Sequence, residues 1–220
     1  MEFWIEGSVE QVIRVANDGL ADAIATNPSI VEKWTAGGLT LENVVAQVCG
    51  EVDVPVYVQL HGPTVDAFLR EMDSLRQISH LIHPKLVATH EGMAAARRIA
   101  ADGLKPLITT IATINQAYLA ARANAAFVAP YVGRIDAAGI DASQLVSDIA
   151  RMYERHHVPT QIAAASIRSP EQASAMLIAG APVLVMQHDV FMKLVEAPLT
   201  SDWIAQFEKN WSHIPHALYR

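Results

Sequence analysis

The chain has 220 residues, is 51% hydrophobic and carries a formal charge of -7. That length suits one well-packed domain and is short for two; Lys and Arg are scattered, which argues against a nucleic-acid partner. No apolar run approaches the roughly 20 residues of a membrane span, and the N-terminal residues read as a strand rather than a secretory leader. The single cysteine, Cys49, can form no internal disulfide, so a reducing, cytoplasmic setting is expected, with Cys49 as a small buried hydrophobe beside the apolar stretch 44–48.

Short β-type runs alternate with amphipathic helical segments along the chain. The first run is Phe3-Trp4-Ile5-Glu6, after which Ser8 reads as the N-cap of a helix over about 9–18. The second, 23–26, leads into Asn27-Pro28-Ser29 and helical material over about 39–49; the third, 56–60, precedes a helix over about 64–77. The fourth, 81–88, is followed by a helix over about 90–102 closed by Gly103, and the fifth, 107–110, by a helix over about 114–124. The sixth, 127–132, leads to a helix over about 142–156; the seventh, 162–166, to a helix opened by Ser169-Pro170; the eighth, 183–186, to a helix over about 189–196. A last helix is expected over about 202–212.

About eight β/α units without a linker or repeat predict parallel pairing with right-handed crossovers. Units of this size favour a closed (β/α)8 TIM barrel spanning residues 1–220 as a single domain, with an additional C-terminal helix, over an open doubly wound sheet. No glycine-rich phosphate loop follows any strand, which weakens nucleotide-binding alternatives. In such a barrel the active site lies at the C-terminal strand ends. Polar residues collect there: Glu6, Thr26 with Asn27, Gln59, Lys85 with Thr89, Thr109 with Thr110, Tyr131 with Arg134 and Asp136, Ser166 with Arg168, and Gln187 with His188.

Lys85 is the sharpest signal. It lies inside a strand, where alternate residues face the same way. If that face is the barrel interior, an amine is being desolvated, and a neutral amine attacks carbonyls to form an imine; an outward lysine snorkelling between helices fits the spacing equally well. Glu6 at the tip of strand one suits a general acid/base and, taken alone, also suits a solvated surface glutamate. Gln59 and Tyr131 end strands and can each hold a water or a hydroxyl. Arg134, Arg168 and Ser166 suit an anion site, with Arg134–Asp136 ion pairing as the alternative. The nine histidines show no metal-binding spacing, so neither metal nor cofactor is expected.

Four segments in order resemble signatures of the transaldolase family: Thr26-Asn27-Pro28-Ser29, Lys85 to Gly92 as K-x-x-x-T-x-E-G, Ala129 to Asp136 as A-P-Y-V-G-R-I-D, and Ala165-Ser166-Ile167-Arg168. The short length resembles the compact subgroup that includes fructose-6-phosphate aldolase. The resemblance implies a Schiff base between Lys85 and a ketose C2 carbonyl, with cleavage between C3 and C4. It also implies a catalytic water held by Gln59, Thr109 and Tyr131, acid/base work by Glu6, and substrate hydroxyls bound by Asn27 with Thr26. Arg134, Ser166 and Arg168 would hold a distal phosphate. Within the family, Tyr at 131 and Gln at 59 resemble the free aldolase, whereas Gly133 resembles transaldolases. Glu6 departs from the family's Asp, Ala25 from its Ser or Thr, and Pro84 stands where an apolar strand residue is usual; His83 and His90 add imidazoles near the lysine. An altered anionic ketose is therefore a further expectation.

Trp203, Ile204, Phe207 and Trp211 mark an apolar helical face near the C-terminus. The resemblance implies that this helix packs on a neighbouring subunit of a homo-oligomer, as in a ring-based decamer. The expected partners are sugar phosphates, with no nucleic acid and no membrane. Three readings remain open at this point: an aldolase, a transaldolase needing an aldehyde acceptor in pentose phosphate-type carbohydrate metabolism, and a non-catalytic sugar-phosphate-binding barrel.

Overall fold

Alternating inward and outward side chains, with no edge left unpaired, give the architecture its form. In the computed structural model, which describes residues 1–214, eight parallel strands close into a barrel in sequential order, β8 pairing back onto β1. The elements run β1 (Glu2–Glu6), α1 (Val9–Asn17), β2 (Ala23–Ala25), α2 (Pro28–Thr35), α3 (Leu41–Glu51), β3 (Val56–Gln59), α4 (Val65–Arg76), β4 (Ile82–Val87), α5 (His90–Ala101) and β5 (Leu107–Ile111). They continue with α6 (Ile114–Arg122), β6 (Phe127–Pro130), α7 (Val132–Ala137), α8 (Ala142–Arg155), β7 (Gln161–Ile167), α9 (Pro170–Ile178), β8 (Val183–Gln187), α10 (His188–Lys193) and α11 (Pro198–Trp211). The (β/α)8 barrel expected from the alternation is the fold observed. Among the described residues no helix is long and apolar enough to cross a membrane.

Helix starts follow their caps. Ser8 accepts from the Gln11 amide while Gln11 returns a bond to the Ser8 N–H, a reciprocal box that fixes α1. Two helices escape the sequence reading. α2 is short, yet Asn27 caps the Ile30 N–H at 3.1 Å and Pro28 stands at its first turn. α7 has six residues and no side-chain cap, so neither periodicity nor a cap residue marks it. The final helix begins at Pro198 rather than near 202, again with proline in its first turn.

The core has two parts. One lies between the outer faces of the strands and the helices, and the other fills the barrel interior. Inside, Trp4 stacks on Tyr57 at 4.3 Å and meets Phe127 edge-on at 4.7 Å. These three rings plug the N-terminal half. Ala25, Ala129 and Ala165 stand towards the C-terminal ends of their strands, and small side chains there leave room for a cavity above the plug. The site is therefore shaped by where the sequence places large and small inward residues.

Candidate active site

The floor of the site is an ion pair inside the barrel. Lys85 is 1% exposed and Glu6 7%, and Nζ lies 3.8 Å from Glu6 Oε1. Strand parity thus turns Lys85 inward, which excludes the outward, snorkelling orientation. Nζ also donates to the Thr26 carbonyl oxygen at 2.8 Å. Glu6 is held from two sides: Asn27 Nδ2 donates to Oε1 at 3.3 Å, and Gln187 Nε2 donates to Oε2 at 2.9 Å. A buried ammonium and carboxylate are thus paired and hydrogen-bonded, the condition for keeping charges out of water. Nζ has a proton acceptor beside it, so the arrangement can pass a proton from the amine to the carboxylate and leave a nucleophile.

Gln59 and Tyr131 reach the cavity wall from β3 and the end of β6. Thr109 is fully buried, and its Oγ1 makes no hydrogen bond among the described residues. A buried hydroxyl without a protein partner is rare and calls for a functional explanation. The pairing of β5 with β6 shifts register between Ile108 and Ile111, and Thr110 there takes φ 61°. An equivalent shift in β7 lies between Ala164 and Ile167, with Ser166 at φ 59°. Left-handed backbone in non-glycine residues is costly and clusters at functional sites. Both bulges turn a side chain to the cavity, so Thr110 and Ser166 line it.

The rim is cationic. Arg134 and Arg168 line the cavity with Ser166, and the Arg134 guanidinium lies over the Tyr131 ring, 5.1 Å from its centroid. Asp136 does not pair with Arg134: it accepts from Gln172 Nε2 at 2.8 Å and the Ala142 N–H at 3.2 Å. Among the described residues no ion pair involves Arg134 or Arg168. Two guanidiniums and a hydroxyl are thus available to an anion. Lys33, Ser29, Asp189 and Gln187 complete the wall of a cavity of about 620 Å³. The volume fits a phosphorylated sugar within the usual range of ligand sites.

Nine of the polar residues singled out at the strand ends line this cavity: Glu6, Asn27, Gln59, Thr110, Tyr131, Arg134, Ser166, Arg168 and Gln187. Lys85, Thr109 and Thr26 are buried instead. Thr26 has partners of its own. Its hydroxyl donates to the Tyr57 carbonyl at 3.1 Å and accepts from the Gln59 N–H at 3.3 Å, so it ties β2 to β3 and does not line the substrate cavity. Its backbone carbonyl is the one that accepts from Lys85 Nζ. In the segment after Lys85, Thr89 caps α5 by accepting from the Gly92 N–H at 3.1 Å, and Gly92 leaves no room for a Cβ against the Val87 carbonyl. Those motif residues are architectural. His83 is set away from the mouth, with its ring 5.4 Å from Tyr57 in the plugged half, and His90 opens α5 in an exposed position.

Comparison with known proteins gives a consistent picture. Residues 5–218 match the family model described as transaldolase/fructose-6-phosphate aldolase. A protein named probable transaldolase from Hyphomonas neptunium is 34% identical over 208 residues, covering 94% of this chain and 95% of the relative. Another from Bartonella quintana is 33% identical over 212 residues, with 96% of each chain covered. One from Streptococcus pyogenes serotype M2 is 30% identical over 213 residues, covering 96% and 98%.

Proposed function

The chain belongs to the transaldolase/fructose-6-phosphate aldolase family, and from that premise we propose that it works through a Schiff base on Lys85, cleaving or forming the C3–C4 bond of a ketose phosphate such as fructose 6-phosphate. The observation that carries this reading is the buried Lys85 amine 3.8 Å from the carboxylate of Glu6, a residue that lines a polar cavity. Lys85 Nζ attacks the C2 carbonyl after giving a proton to Glu6; Glu6 returns that proton to the carbinolamine hydroxyl, which leaves as water, so a protonated imine forms and Glu6 is again a carboxylate. Glu6 then takes the C4 hydroxyl proton. The C3–C4 pair flows into the imine, the aldehyde departs, and a dihydroxyacetone enamine remains on Lys85.

Two fates follow for the enamine. In the aldolase reaction it is protonated at C3 and water hydrolyses the imine, returning dihydroxyacetone and Lys85. In the transaldolase reaction it adds to an aldose phosphate. Tyr131, Gln59 and the unpartnered Thr109 hydroxyl support a held water and so the aldolase. The relatives named probable transaldolase favour transfer as the second reading. Arg134, Arg168 and Ser166 support a distal phosphate, or another anionic end, at the rim.

We also propose that the working form is a homo-oligomer, as large as a ring-based decamer. No residue of α11 is buried, and Leu199, Trp203, Ile204 and Phe207 are each more than half exposed. A contiguous apolar face of this kind marks a protein–protein surface.

Borohydride trapping tests the chemistry. Incubation with fructose 6-phosphate, and separately with dihydroxyacetone, is expected to leave a reduced three-carbon adduct on Lys85, mapped by mass spectrometry, and Lys85→Met is expected to leave none. Tight binding of fructose 6-phosphate with no adduct would overturn the catalytic reading in favour of a binding barrel.

A further inference from the structure

We propose that Gln187 is the positioning residue that makes a glutamate workable as the acid/base at position 6; the proposal rests on Glu6 having that role. β1 and β8 pair with Glu6 directly opposite Gln187, so the two side chains leave neighbouring strand ends together. A carboxylate only accepts hydrogen bonds, so the Gln187 amide must present its nitrogen, and Nε2 lies 2.9 Å from Oε2. That is the shortest of the three polar contacts around Glu6, the others being Asn27 at 3.3 Å and Lys85 at 3.8 Å on Oε1.

Gln187 has no competing local duty. It is the N-cap of α10, yet its side chain makes no capping bond, and Gln is not among the residues that cap well. The side chain instead turns to Glu6 across the seam where the barrel closes. A glutamate has one more rotatable bond than an aspartate, and burying it in a single geometry costs rotamer freedom. By holding Oε2, Gln187 removes that freedom and leaves Oε1 as the oxygen that faces Asn27 and the Lys85 amine. The two oxygens thereby acquire different roles: one is anchored and the other exchanges the proton. Gln187 is exposed on the cavity wall, so its substitution leaves the core intact.

The test compares Gln187→Met, which keeps the length and loses the donor, with Gln187→Glu, which sets a second carboxylate against the first. In a crystal structure of Gln187→Met, the Glu6 carboxylate is expected to leave its contact with Asn27. In both variants, adduct trapping with dihydroxyacetone is expected still to reach completion on Lys85. Turnover of fructose 6-phosphate is expected to fall about 10- to 100-fold with KM within about twofold, more for Gln187→Glu. In a Glu6→Asp background, whose carboxylate is one methylene too short for Gln187, the same Gln187→Met change is expected to alter turnover by about twofold or less. A Glu6 carboxylate that stays in place in Gln187→Met overturns the proposal, as does an equal loss in both backgrounds. If wild-type protein gives no adduct, the Schiff-base reading fails, and the Gln187→Met structure still decides whether Gln187 holds Glu6.

Discussion

Gly133 in α7 and Arg168 after β7 are in direct apposition: a Cβ at 133 would stand 2.7 Å from Arg168 Nε, 2.9 Å from its Cδ and 2.5 Å from the Ser166 carbonyl oxygen. The Arg168 stem crosses α7 where no side chain intervenes, and that crossing delivers the guanidinium to the rim. Gly133→Ala is expected to displace Arg168 and the Ser166 backbone together. KM for fructose 6-phosphate should rise about tenfold, equivalent to about 1.4 kcal/mol. Lys85 trapping by dihydroxyacetone, which carries no anion, should be unchanged. Steady-state kinetics and adduct mass spectrometry read the two effects separately.

Thr109 tests the held water. Its buried hydroxyl is without a hydrogen bond among the described residues, so the near-isosteric Thr109→Val removes the water contact and leaves the protein's own hydrogen bonds in place. The variant is expected to melt within about 2 °C of the wild type. Acceptor-free cleavage should meanwhile slow by roughly 100-fold. Calorimetry and a coupled glyceraldehyde 3-phosphate assay measure both. A lower melting temperature with unchanged turnover would show that the hydroxyl is structural.

Tyr131 lies between the cationic rim and the floor, with Arg134 over its ring. Tyr131→Phe keeps the ring and removes the hydroxyl that would hold water. Hydrolytic release of dihydroxyacetone is expected to fall about tenfold or more relative to transfer onto an aldose phosphate acceptor. Parallel assays with and without erythrose 4-phosphate give that ratio. An unchanged ratio would remove Tyr131 from water handling.

His83 makes stability depend on mild acid. Burial, with a smaller contribution from the Lys105 charge, lowers its pKa below the ordinary 6.5. Its Nδ1 also accepts from the Lys105 N–H at 3.4 Å, which suits the neutral ring. The folded state thus binds this proton less tightly than the unfolded chain. The stabilising contribution is complete above pH 6.5 and is lost as pH falls from there through the lowered folded value. His83→Phe keeps a ring against Tyr57 and removes the titration. Its melting temperature should fall less steeply than that of the wild type as pH drops below 6.5.

The exposed face of α11 has a direct test in solution. Sedimentation of the full chain is expected to give a stable homo-oligomer, and paired replacement of Trp203 and Phe207, both more than half exposed, by Glu is expected to reduce it to smaller species. A wild-type monomer at micromolar concentration would contradict the oligomer.

Most of the barrel is legible in the sequence because its strands repeat one rule, large or small inward and branched outward, between capped helices. What escapes does so for local reasons. α2 and α7 are too short to show a helical period, and α2 announces itself only through Asn27 and Pro28. The sequence ranks Thr109 and Thr110 together at a strand end, but the bulge at Thr110 separates them into one buried hydroxyl and one cavity-wall hydroxyl. The two backbone partners of Thr26, on β3, are likewise invisible from the segment Thr26-Asn27-Pro28-Ser29 alone. The Glu6–Gln187 contact spans 181 positions and exists only because the last strand closes on the first, so no local pattern reveals it.

The aromatic plug of Trp4, Tyr57 and Phe127 has a kinetic consequence. With the interior filled on one side, the cavity is a blind well: everything enters and leaves past the arginines at the rim. On the proposed mechanism the enamine fragment is tethered on Lys85, and the anionic aldehyde stands above it. The upper fragment must then depart before a second aldehyde can reach the tether. On that mechanism the well sets an order of departure: transfer to an aldehyde acceptor is expected to show double-displacement kinetics, and discharge by water ordered release of two products.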